Sequence, residues 1–167
     1  MKRIGSIIVF LLMESVLFAT PLWNGTMLNM TIAEVSNLFP DASFEEPGED
    51  IPGISHFEVA NLLNFNIGRK MYNVYFMFID GQLSLVQLAL QNEDFLVGRD
   101  VNDIRLQLIS KYGPYIDKSS DKSELNMSFD TYNWIKDGTK IQLRWNIVNG
   151  SHSVLIEYSA FEDQSLF

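Results

Sequence analysis

The sequence predicts an α+β fold in which tandem helix-plus-three-strand repeats form a six-stranded antiparallel sheet with two helices on one face. Helix-start signals occur twice, and stretches of alternating apolar residues precede a tight-turn dipeptide twice. One constant offset of 69 residues aligns these features between the two halves without a gap. The alternative is that two ordinary helix-and-strand stretches align by chance. Hydrophobic residues make up 47% of the 167 positions, which is enough for one packed domain.

A capping box predicts the first helix. Thr31 is followed three residues later by Glu34, so each side chain can bond to the backbone at the other's position. Apolar residues then recur at helical spacing until Pro40 stops the run. Asp100 and Asp103 repeat the pattern of a cap and an acid, 69 residues after Thr31. We therefore expect a helix to open each repeat.

Three strands are expected after each helix. Asp80-Gly81 and Asn149-Gly150 suit two-residue hairpin turns, whose central positions need positive φ. Counting outward from the second turn pairs Trp145 with Val154 on one face of the hairpin. Apolar side chains alternate before both turns, namely at Tyr72, Val74, Phe76 and Phe78, and at Ile141, Leu143, Trp145 and Ile147. This period of two is typical of strands with one buried face.

The repeats are assigned to residues 31–92 and 100–160, within a single compact domain. Polar surface loops are expected at residues 41–53, which hold five acids, and at residues 117–128, which are rich in Ser and Lys. The acidic loop could offer oxygen ligands to calcium, but it lacks the alternating acid pattern of a calcium loop. A solvated loop is the better interpretation, and we assign no metal site.

The N-terminal segment has the order of a secretory signal. Lys2 and Arg3 precede ten residues without a charge, and Ala19 offers a small residue for cleavage. Residues 1–19 are therefore interpreted as a signal peptide, and residues 20–30 as a leader into the first helix. An uncleaved anchor or a buried helix or strand are the alternatives. We expect a periplasmic or secreted protein with no stable membrane span after signal cleavage.

Composition narrows the function classes. The chain has no cysteine, which excludes disulfides, a cysteine nucleophile and the acylated cysteine of a lipoprotein. The formal net charge is −9 at pH 7, so the surface repels phosphate backbones. Nucleic acid is therefore not an expected partner.

An apolar patch is predicted on the sheet face opposite the core. Pairing around the first hairpin turn places Tyr75 opposite Val86, and puts Met77 and Leu88 on the same face. In the second half, the corresponding face is polar. Exposed contiguous apolar surface marks interaction sites, so Tyr75, Met77, Val86 and Leu88 are the predicted partner-binding patch. The alternatives are cover by a loop, the termini or a dimer mate, or a bulge near Leu85 that shifts the register.

The sequence offers no recognisable catalytic group. It has only two histidines, His56 and His152, and neither accompanies a nucleophile or acid at a known spacing. A structural role is expected for His152, which falls on the core side of its strand. No catalytic residue and no cofactor is assigned.

Residues 28–40, LNMTIAEVSNLFP, resemble the helix opening of small bacterial envelope domains of the outer-membrane assembly lipoprotein type, which often read G-M-T-x-x-E-V. Tandem copies of such a unit are similar to the beta-lactamase inhibitor protein architecture. Asn29 stands where these domains have glycine, and the lipidated cysteine is missing. The resemblance implies a non-catalytic protein-binding module of the periplasm or extracellular space.

We therefore expect an exported, non-catalytic protein-interaction module that binds a protein partner or associates with itself. The alternative is a small-ligand or lipid carrier, with an apolar cavity between helices and sheet. An enzyme would need acids that converge in a cleft, or His152 in one.

Overall fold

The computed structural model describes residues 20–45, 57–91, 98–123 and 127–162. The predicted signal 1–19, residues 46–53 of the acidic loop and His56 lie outside these ranges. The described part contains two helices and eight strands, which are α1 (Ile32–Leu38), β1 (Ser43–Glu45), β2 (Phe57–Ile67), β3 (Lys70–Ile79), β4 (Gln82–Leu90), α2 (Gly98–Tyr112), β5 (Asp117–Ser123), β6 (Met127–Lys136), β7 (Thr139–Val148) and β8 (Ser151–Ala160).

All eight strands belong to one antiparallel sheet, in the order β1-β2-β3-β4-β8-β7-β6-β5. The prediction of tandem helix-plus-three-strand repeats in a six-stranded sheet is therefore wrong. Four strands follow each helix, because β1 and β5 form where the sequence indicated loops. Both lie at the edges of the sheet, where one neighbour supplies the backbone hydrogen bonds. An edge strand can form without burying its side chains, which explains how the polar sequence of β5, DKSSDKS, is accommodated. Charged side chains are typical of such edges.

Helix α1 begins as predicted. The Glu34 backbone N–H donates to Thr31 Oγ1 at 3.3 Å, and the Thr31 backbone N–H donates to Glu34 Oε2 at 2.7 Å. Helix α2 begins at Gly98, so Asp100 lies in its first turn and is not the predicted cap. The Asp100 carboxylate instead accepts from Lys70 Nζ at 3.0 Å, which ties α2 to β3.

Both helices pack on the same face of the sheet. Phe76, Val86 and Tyr158 lie directly opposite one another on β3, β4 and β8, and all three are buried. The ring of Phe39, at the end of α1, lies 5.0 Å from that of Phe76, and the ring of Tyr112 in α2 lies 6.3 Å from that of Tyr158. The core therefore fills the space between this face and the helices. Neither of the helices described is long and apolar enough to cross a membrane.

Residues 20–30 are part of the fold and more than a leader. Trp23 is buried, and its ring stacks on Phe39 at 5.8 Å. The backbone N–H of Asn29 donates to the carbonyl of Leu83 in β4 at 2.9 Å. This segment covers one end of the core before α1 begins.

Candidate functional site

The sheet has a second face, turned away from both helices, which we call the reverse face. One row of directly opposed residues crosses it, with one residue from each strand. These residues are Ser43, Asn61, Tyr75, Gln87, Glu157, Gln142, Asn133 and Asp117. The row is polar except for Tyr75, and side chains two positions along a regular strand from it lie on the same face.

The structure separates the four residues of the predicted patch into two pairs. Between β3 and β4, Met77 pairs with Leu85 and Phe78 pairs with Leu83, which leaves Ser84 as an extra, bulged residue. A shift of one residue moves side chains to the other side of a sheet. The bulge does not affect β3, so Tyr75 and Met77 lie on the reverse face, where they are partly exposed.

Val86 and Leu88 do not join Tyr75 and Met77. Both side chains point into the core and have no exposed surface. The bulge at Ser84 is the physical reason, because it changes the phase of β4. A bulge near Leu85 was among the alternatives that the sequence left open, and the pattern carries a sign of it. Val86, Leu88 and Leu90 alternate out of phase with Leu83.

Two other residues take the place of Val86 and Leu88. Val59 on β2 and Leu85 on β4 lie on either side of Met77 in one row, next to the row that contains Tyr75. All four side chains are partly exposed. We call Val59, Tyr75, Met77 and Leu85 the apolar end of the reverse face.

A polar network occupies the middle of the same face. Gln87 Nε2 donates to Glu157 Oε1 at 2.9 Å, and the Arg144 guanidinium donates to the other Glu157 oxygen and to Gln142. Gln142 Nε2 in turn donates to Asn133 Oδ1 at 2.7 Å. The network links β4, β8, β7 and β6. Such mutual bonding holds long side chains in fixed positions beside the apolar end.

On the other side of the sheet, a cleft opens between α2 and the strands β6 and β7. Its volume is about 180 Å³, and it is lined by Gly98, Val101, Asn102, Arg105, Tyr132 and Trp145. We call it the α2–sheet cleft. Trp145 Nε1 donates to His152 Nδ1 at 3.1 Å, so His152 serves to hold the indole ring. The cleft is smaller than the roughly 300–1,000 Å³ of pockets for drug-sized ligands, and its lining of Arg105, Asn102 and aromatic rings is not that of a lipid cavity.

A larger cavity of about 380 Å³ lies at the end of the β3–β4 hairpin. It combines the carboxylates of Asp80 and Glu162 with the apolar side chains of Leu28 and Ile79. This cavity is at the ends of the central strands β3, β4 and β8 and not between the helices and the sheet, where the carrier alternative requires one. Within the described ranges, no three His, Asp or Glu side chains come together as a metal site.

Comparison of the chain with known protein families, with curated proteins and with solved structures finds no match in any of the three. The function is therefore argued from the geometry above.

Proposed function

We propose that the protein is an exported, non-catalytic protein-interaction module, and that the apolar end of the reverse face binds a partner protein. The observation that carries this proposal is the partial exposure of Tyr75, Met77, Val59 and Leu85 on a face that neither helix covers. Apolar side chains grouped in this way are typical of interaction sites.

The surroundings of the apolar end favour a separate partner over a permanent dimer of this chain. Non-obligate interfaces combine a small apolar centre with a polar rim, whereas obligate dimer interfaces are more uniformly hydrophobic. Here the network around Arg144 and Glu157 adjoins the apolar end directly. Its charged and amide groups suit hydrogen bonds to a partner at the rim.

Export is proposed from the sequence alone. Lys2, Arg3 and the apolar run before Ala19 support a cleaved signal, and the resemblance of residues 28–40 to envelope domains supports a periplasmic or extracellular location. N-terminal sequencing of the exported protein should begin at Thr20. A product that begins at Met1 would contradict this part of the proposal.

The binding face is tested by site-specific photocrosslinking in the producing cell. A photoreactive residue at Met77 should capture a protein partner, whereas one at Leu106, which is 50% exposed on α2, should not. The double variant Tyr75→Ser with Met77→Ser should lose the partner and keep the thermal stability of the parent.

The matched control replaces Leu106 and Ile116 with Ser, since both are exposed and both lie away from the apolar end, Leu106 on α2 and Ile116 beside β5 at the other edge of the sheet. This control should retain the partner. Equal loss in both double variants would show that the reverse face is not the site. Unfolding of the Tyr75 and Met77 variant would show that these residues belong to the core.

A further inference from the structure

The α2–sheet cleft lies on the helix side of the sheet, so it is separate from the reverse face. It is bounded by the first two turns of α2, by Tyr132 on β6 and by Trp145 on β7. A ligand here would therefore leave the proposed protein-binding face free.

Two cations stand beside this cleft. The Arg105 guanidinium lies 5.6 Å from the centre of the Tyr132 ring, and Lys118 Nζ lies 5.3 Å from it. Neither of them forms an ion pair with a carboxylate in the part of the chain that the structure describes. A ring attracts a cation but does not accept all of its N–H groups. In a chain of net charge −9, two such cations at one cleft favour an anionic ligand.

Arg105 is held in place by a neighbour on the same helix. Its Nη2 donates to Asn102 Oδ1 at 2.6 Å, one turn earlier on α2, and both residues line the cleft. A guanidinium has five N–H donors, and one bond to Asn102 leaves donors for a carboxylate. The planar fork of Arg matches the two oxygens of a carboxylate.

The rest of the lining consists of the rings of Tyr132 and Trp145 with Val101 and Gly98. Trp145 is held by its bond to His152, and the two rings stack at 5.8 Å. Gly98 lines the cleft, and a Cβ there would lie 3.6 Å from Trp145 Cη2, so the bulk of a larger side chain would compete for the space beside the indole. Flat walls of this kind suit a planar ring.

We propose that the α2–sheet cleft binds a small carboxylate that carries a single planar ring, with the carboxylate on Arg105 and the ring between Tyr132 and Trp145. The volume of about 180 Å³ admits a one-ring ligand. The same chemistry occurs in a free aromatic acid and in the C-terminal phenylalanine of a peptide. Lys118 lies near enough to add attraction through its charge.

The test is calorimetric titration of the full exported chain with phenylacetate, followed also by tryptophan fluorescence. Saturable binding is expected, and the neutral isostere phenylacetamide should bind at least about tenfold more weakly, because it lacks the charge-assisted hydrogen bonds. A short peptide ending in phenylalanine, compared with its C-terminal amide, distinguishes the two sources. If the free peptide binds and phenylacetate does not, the ligand is a protein C-terminus.

Variants locate the site. Arg105→Gln should weaken binding at least about tenfold, and Arg105→Lys should weaken it less, since the charge is kept and the fork is lost. Gly98→Leu should abolish binding without any change of charge. Arg99→Gln is the matched control, because Arg99 is an exposed cation of the same helix that does not line the cleft.

Thermal unfolding of each variant must match the parent before its binding is compared. The proposal is overturned if neither phenylacetate nor the free peptide saturates at millimolar concentration, if phenylacetamide binds equally well, or if Arg99→Gln weakens binding as much as Arg105→Gln. Equal binding of inorganic phosphate would also overturn it, because the aromatic walls would then have no role.

Discussion

The bulge at Ser84 predicts opposite outcomes for the same substitution at two positions of β4. Leu88 faces the core, opposite Val74 on β3 and Ile156 on β8, and has no exposed surface. Leu85 faces the other way and is partly exposed. In a sheet without the bulge, the two residues would exchange faces. Comparing the stability losses of Leu88→Ala and Leu85→Ala therefore tests the register of β4 against β3.

The magnitudes follow from burial. Leu88→Ala removes three buried carbons, worth about 0.8 kcal/mol each, and leaves a cavity that raises the loss of unfolding free energy to about 3–4 kcal/mol. Leu85→Ala removes the same atoms from a partly exposed site and should cost about 1 kcal/mol or less. The free energies of unfolding should thus differ by about 2–3 kcal/mol between the two variants.

Urea unfolding followed by circular dichroism measures this difference. With a slope of about 2 kcal/mol per molar urea, Leu88→Ala should lower the midpoint by about 1.5 M and Leu85→Ala by about 0.5 M or less. Equal slopes would show that the comparison is sound. A larger loss for Leu85→Ala than for Leu88→Ala would refute the bulge and restore the register that the hairpin turn alone suggests.

Three further predictions concern ionisable groups. Arg144→Met removes the cation that pairs with Glu157, whose side chain is 13% exposed. The free energy of unfolding measured in urea should fall by about 1 kcal/mol. An unchanged value would show that the network does not stabilise the fold. Hydrogen bonds from Thr31 lower the pKa of Glu34 below 4.5, so this carboxylate stabilises the fold above that pH and the contribution is lost as pH falls through the folded pKa. Glu34→Gln should therefore lower the melting temperature at pH 6 and weaken its fall towards pH 3, because it removes the charge that both the backbone N–H and the hydroxyl of Thr31 stabilise. Burial raises the pKa of Tyr72 from 10.0 to about 12, so its contribution is complete below pH 10 and is lost as pH rises through about 12. Tyr72→Phe should reduce the alkaline slope of stability by up to about 1.4 kcal/mol per pH unit, and an unaltered slope would contradict this assignment.

Local signals predicted the local structure well. The capping box at Thr31 and the hairpin turn at Asn149-Gly150 are present, and both turn residues have positive φ. The pairing of Trp145 with Val154 is confirmed. These features depend on neighbouring residues, whose chemistry can be read directly from the sequence.

The edge strands could not be predicted in this way. The side chains of β5 carry no alternation of apolar residues, and the strand forms because the edge of β6 offers it backbone hydrogen bonds. The start of α2 was missed for a related reason. Asp100 forms an ion pair with Lys70, which is 30 residues away in the sequence. A residue type that suits a helix cap is therefore used here to join two elements.

The candidate sites depend on positions that only the folded chain brings together. Tyr75 and Met77 were found because strand alternation identifies the face of β3. Val59 lies beside Met77, but the sequence did not determine the register of its strand. Arg105 and Trp145 line one cleft only because α2 packs on the sheet. No spacing in the sequence links such residues.

The position of β8 has a consequence for biosynthesis. It is the last strand described along the chain, yet it lies in the middle of the sheet, between β4 and β7. Gln87 and Glu157, which bond across the join of β4 and β8, are 70 residues apart. Pairing between residues so distant in sequence is slow to form. While the ribosome is still making residues 151–160, the central strand is missing and the sheet is incomplete. The nascent chain should thus stay unfolded at least until residues 151–160 have been made.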